Sequence, residues 1–153
     1  MSMRELVVFV VGGRRCALDL AVVERVEPMV AVTALPGAPP AVLGAIDVHG
    51  SIVAMLDLRS RLDLPAAEPD PDACVLLART RPRIVALPVD EVLGVQAVEA
   101  TAVTSTEALG VAPGHAAGVA SLPDGLLLIH DLEAFLSLDE ERLLAPALAD
   151  AAR

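Results

Sequence analysis

Few side chains here could do acid, base, nucleophilic or metal chemistry, and their spacing limits them further. The three histidines, His49, His115 and His130, form no HxH, HxxxH or HExxH pattern that would turn two imidazoles toward one metal ion. His49 reads as a turn residue, His115 as part of a Gly-rich loop and His130 as a strand end. Asp57 and Asp131 hold matching places in two similar stretches, "LGAIDVHGSIVAMLDL" (43–58) and "AGVASLPDGLLLIHDL" (117–132). A carboxylate pair would have to converge on one cleft, which related places in two units seldom do, so capping of backbone amides is the expected role. Glu68, Asp70 and Asp72 lack the ordered ligand spacing of a calcium loop. Cys16 and Cys74 form no CxxC spacing and are expected as free thiols beside strands. No GxSxG elbow, GxGxxG or GxxxxGK[ST] occurs, and all 11 basic residues are Arg, which excludes a Walker or Schiff-base lysine. No catalytic residue, metal or cofactor is expected.

The elements that would position these residues are β-rich. Of the 153 residues 55% are hydrophobic, ample for one core, and two Phe are the only aromatics, so that core must be Val, Leu, Ile and Ala. A net charge of −10 repels phosphate backbones and anionic lipid, so no nucleic acid and no direct membrane insertion are expected. The apolar run from Leu6 to Val11 is too short for a signal peptide, and no run approaches the ~20 residues that span a bilayer. A cytoplasmic location is expected.

"ELVVFVV", "GGRR" and "CALDLAVVERVEPM" read as strand, tight turn and strand, with Gly12 and Gly13 supplying positive φ. The prolines of "LPGAPPAV" (35–42) exclude a central strand there, and "PAAEPDPDA" (65–73) is the best internal loop. The second half repeats the first. "ALPVDEVLGV" (86–95) matches "ALDLAVVERV" (17–26) at a shift of 69, while Gly118 and Asp131 match Gly44 and Asp57 at a shift of 74. Such self-similarity predicts two related β units of about five short strands each, joined through apolar surface. "SLDE" (137–140) is a capping box opening a tail helix, with Leu143, Leu144 and Leu148 at helical spacing and Pro146 expected to kink or shorten it.

The ordered blocks "VVFVVGGRRCALDLAVVERV", "TALPGAPPAVLGAIDVHGSIVAMLDLRSRL", "IVALPVDEVLGV" and "GVASLPDGLLLIHDLEAFL" resemble the CheW-like family over about residues 5 to 138. That family comprises the coupling proteins of bacterial chemosensory arrays and the matching regulatory domain of their histidine kinases. The resemblance implies a mainly β fold of two interlocked five-stranded SH3-like barrels with short helices and a C-terminal helix. On this reading the chain is a single CheW-like domain, 1–153. Residues 12–66 approximate the first barrel, 74–137 the second, with strand exchange at the ends, and 137–150 the helix. It also implies a non-enzymatic adaptor bridging a chemoreceptor cytoplasmic tip to a histidine kinase regulatory domain, recruited to membrane-bound arrays through these partners.

Carried over residue by residue, the receptor-binding positions are Val23, Arg25, Asp47, His49 and Gly50, with Gly44 as a structural turn supporting them. Val92, Leu93 and Val95 are the expected kinase-binding positions. The family's "VxEV" and "INLRG" appear here as "VERV" and "IDVHG", so Arg25 replaces an acid, Asp47 an Asn and His49 an Arg. Arg25 and Asp47 could then form an ion pair of reversed polarity serving a divergent receptor. One alternative is a CheW-like regulatory module of a non-chemotaxis output. Another, an enzyme or small-ligand protein using the inter-barrel cleft, predicts a deep polar pocket at His49 or His130 with Asp131 or Asp57, whereas the adaptor predicts a shallow apolar groove.

Overall fold

The apolar runs become strands, and Gly44, Pro88, Gly94 and Gly118 lie inside them rather than ending them. A computed structural model describes residues 2–62, 64–67, 70–105 and 116–151. Its elements are β1 (Met3–Val11), β2 (Arg14–Asp19), β3 (Val23–Pro28), β4 (Val42–Val48), β5 (Ser51–Leu56), α1 (Leu58–Arg61), β6 (Cys74–Arg79), β7 (Ile84–Val89), β8 (Glu91–Glu99), β9 (Val103–Ser105), β10 (Ala116–Leu122), β11 (Gly125–His130) and α2 (Leu138–Ala151). Single 3₁₀ turns cover Leu20–Val22, Ala100–Ala102 and Leu132–Ala134.

The strands form two mixed sheets, ordered β3-β6-β7-β5-β4 and β8-β1-β2-β11-β10-β9. Exchanging the repeats converts one order into the other, apart from β9. The exchange expected at the ends of 12–66 and 74–137 takes in whole hairpins, so neither segment makes a sheet by itself. Each sheet instead takes the leading hairpin of one repeat (β1–β2 or β6–β7) and the trailing strands of the other. The seam is parallel in both. Cys16 and Ala17 pair with Leu128 and Ile129, and the equivalent Val85 and Ala86 pair with Ala54 and Met55.

Burial explains the exchange. β1 is apolar on both faces: Leu6 and Val8 join a cluster with Ala17, Leu127 and Ile129, while Val7, Phe9 and Val11 enter a larger shared core. β6 behaves alike, with Val75 and Leu77 facing Ile46 and Met55, and Leu76 and Ala78 facing the shared core. Strands buried on both faces read as continuous apolar runs and need neighbours on each side, which an interior position in the partner repeat's sheet supplies. Each fully buried Leu or Phe contributes roughly 1.5–3 kcal/mol, so the shared core joins the sheets into one unit.

The second sheet has six strands rather than the expected five. β9 pairs with β10 through Val103, Thr104 and Ser105, whereas in the first sheet this contact shrinks to one bridge, Thr33 to Ala45. Glycine occupies the crossing in both. A Cβ on Gly44 would lie 2.3 Å from the Thr33 carbonyl oxygen, and one on Gly118 would lie 3.1 Å from that of Thr104. Gly44 thus lies inside β4, at a register shift, and not in a turn as the sequence suggested.

The capping box forms as expected. The Glu140 amide donates to Ser137 Oγ (3.1 Å), and the Ser137 amide donates to Glu140 Oε1 (3.0 Å). Pro146 neither ends nor shortens the helix, which runs to Ala151. Leu144 and Ala147 are buried in the shared core with Leu148 packed against it, so tertiary contacts hold the turn that the proline weakens; Leu143 faces solvent.

Candidate functional site

Asp57 and Asp131 do the same small task at equivalent places. The Arg59 amide donates to Asp57 Oδ1 (3.1 Å) at the start of α1, and the Glu133 amide to Asp131 Oδ1 (3.0 Å) at the 3₁₀ turn. Both are caps. His130 is buried at the end of β11 beside a cleft of about 110 Å³ that Asp131, Arg4, Asp19 and Glu133 also line. That is well below the ~300 Å³ at which small-molecule sites begin, and Arg4 is committed to Asp19 through both carboxylate oxygens (3.1 and 3.0 Å). His115 and Glu68 lie outside the described residues. Among the described residues no group of three His, Cys, Asp or Glu side chains could hold a metal ion. No described helix is long and apolar enough to cross a membrane. Cys16 and Cys74 are free thiols.

The first sheet gathers four of the sequence-derived positions at one end. His49 (φ 49°) and Gly50 (φ 91°) form the two-residue turn joining β4 to β5, both left-handed as a type I′ turn requires. The Gly50 amide donates to Asp47 Oδ1 (2.8 Å), so Asp47 closes this turn. The Arg25–Asp47 ion pair is therefore not formed. Arg25 Nε donates instead to Glu27 Oε1 (3.0 Å), and His49 Nε2 lies 3.2 Å from that same oxygen.

Glu27, which the sequence reading missed, is the centre of the cluster. Its side chain is 22% exposed, against 53% for Arg25 and 69% for His49, so a sheltered acid presents two outer bases. The alternation of a strand carried the signal, because residues 25 and 27 share a face of β3. Val23 stands apart, beyond a bulge at Glu24, half-buried against the shared core; Glu24 pairs with Arg79 (2.7 Å). Val92, Leu93 and Val95 lie on β8 in the other sheet.

Beside the cluster the surface turns apolar. Glu27, Asp47, His49 and Val30 line a recess of about 180 Å³, and Val30 also lines an open groove of about 600 Å³ with Met29, Val32, Ala34, Leu43 and Pro71. The groove falls on "EPMVAV", a segment where Pro28 ends the strand and Val30 and Ala31 are left exposed.

Two mixed sheets around one core, with an ion cluster on the rim of an open apolar groove, define a β-rich module of the scaffold kind. Its sequence matches the family model for the CheW-like domain over residues 5–140, and the chain belongs to that family. It is 34% identical over 89 residues (58% of this chain, 57% of the relative) to a protein named chemotaxis protein CheW from Rhizobium meliloti. With the probable chemotaxis protein CheW of Rhizobium etli it shares 26% identity over 139 residues, 90% of each chain. The crystal structure of the scaffolding protein TtCheW from Thermoanaerobacter tengcongensis superposes with a TM-score of 0.82 at 21% identity, covering 94% of this chain and 99% of that one.

Proposed function

We propose that this chain is a non-enzymatic adaptor that couples a chemoreceptor to a histidine kinase in a cytoplasmic signalling array. The observation that carries this reading is the surface running from Arg25, Glu27 and His49 into the groove at Met29, Val30 and Leu43. Such a surface accepts the side of a receptor helix. Apolar contacts supply most of the affinity, and Arg25 and His49 at the rim discriminate among partners. Leu93 and Val95, exposed on the edge of the other sheet, face the kinase regulatory domain, with Val92 packed inward against the shared core, so one chain can hold two partners at once. Asp47 and Gly50 act by fixing the turn that carries His49. Arg25 and His49, where the family pattern has an acid and a base, suit a receptor tip that has diverged with them.

Capture experiments with the purified chain test this, using the regulatory domains of the histidine kinases of its source organism and then receptor cytoplasmic tips. Retention of one kinase domain and one tip is the expected result. A folded chain that retains neither would overturn the adaptor role, and retention of a non-kinase partner would point to a different output.

A further inference from the structure

Four strands form the edges of the two sheets, and three of them are blunted. β3 carries Arg25 and ends in Pro28, β4 is bridged by Thr33, and β9 is three residues long. β8 is different. It is nine residues long, holds no proline and no basic residue, and among the described residues pairs only with β1. After one bulge at Leu93 its ladder is regular from Gly94 to Glu99. Leu93 and Val95 are 50% and 58% exposed.

The acids around it also lack salt bridges among the described residues. They are Glu5, Glu91 and Glu99, all exposed. At the equivalent edge, Glu24 and Glu27 are matched by Arg79 and Arg25. We infer that β8 receives an added strand: an extended partner segment, apolar at alternate residues and cationic toward both ends. Backbone hydrogen bonds to the free edge would supply affinity, Val95 and Leu93 apolar contact, and Glu5, Glu91 and Glu99 the choice of partner. A second copy does not fit this role, because it would bring its own three carboxylates to the seam of a chain already at −10. The inference rests on the adaptor reading in taking the kinase regulatory domain as the natural source of that segment.

The probe is a labelled peptide as long as β8, alternating Val and Thr with Arg at both ends, added to the full chain. Its controls carry Glu at both ends or a backbone N-methylated throughout. Saturable binding of the Arg-ended peptide is expected, weakening with salt and slowing amide exchange along β8. The Glu-ended peptide should bind about tenfold more weakly, and the N-methylated one should not bind. The double variant Glu91→Arg, Glu99→Arg should reverse the preference. Equal binding of all three peptides, protection away from β8, or no binding would overturn the strand addition. A captured kinase domain that leaves β8 exchange unchanged would also overturn it while sparing the adaptor role. Peptide binding without kinase capture would support the edge and remove the adaptor reading.

Discussion

Cys16 and Cys74 look alike in the sequence, each opening an apolar run, yet the fold separates their chemistry. Burial pushes the Cys16 thiol up to about 11 despite the opposing pull of Arg14. Cys74 is half-buried at the start of β6. In the native protein near pH 8, alkylating reagents should label Cys74 first and reach Cys16 only on unfolding, as peptide mass mapping would read; early labelling of Cys16 would contradict its packing. Because folding favours the protonated thiol, its contribution is full below the ordinary value of 9.0 and is lost as pH rises toward about 11. The glycines make a similar contrast. Gly50 has positive φ with nothing within 4 Å of a built Cβ, so Gly50→Ala should cost about 1 kcal/mol. Gly44→Ala drives a methyl into the Thr33 carbonyl and should cost roughly 3 kcal/mol in denaturant titrations. Equal costs would mean that segment 32–34 moves aside freely. A sequence displays glycine's freedom but not what crosses over it, which is why Gly44 read as a turn.

Among the elements, α2 shows how far local signals reach. Ser137 and Glu140 announced its start at three-residue spacing, and the same Glu140 bonds Arg61 Nη2 through both oxygens (2.6 Å each), a contact 79 residues away that no local pattern encodes. Arg61 also lies over the Phe135 ring (5.5 Å), and Arg83 pairs with Glu141, the next residue of the helix. Burial raises the Glu140 carboxyl, but the Ser137 amide and Arg61 outweigh it and hold it below the ordinary 4.5. A lowered folded value gives stability that is present above the unfolded value and lost as pH falls through the folded one. Acidification below about pH 4.5 should therefore loosen α2 from the sheets, seen as faster exchange of its amides, while Glu140→Gln flattens that dependence. An unchanged acid limb in the variant would place the sensitivity elsewhere. Pro146 misled the reading of the helix's end because Leu144 and Ala147, on the shared core, restrain the weakened turn.

At the scale of the molecule, the repeat and the strands were legible because burial on both faces writes itself as "LVVFVV" and "CVLLA". The exchange entered the reading only through the family resemblance, since periodicity says which faces are apolar and nothing about which repeat covers them. The two shifts, 69 and 74, were nonetheless its trace. The parallel seam joins a 69-block strand of one repeat to a 74-block strand of the other, and the loop difference between shifts lies outside both. Exchange forbids independent halves. Residues 1–66 alone would leave β3 without β6 and β5 without β7, exposing Val7, Phe9, Leu18 and Leu56. Neither 1–66 nor 67–153 should fold when expressed alone, but mixing them should restore strand signal and a cooperative melt, because each completes both sheets of the other. A half that melts cooperatively by itself would show that its sheet closes without the partner hairpin. The intact chain should then unfold in two steps; if exchange governs stability, it melts in one, as the shared core demands.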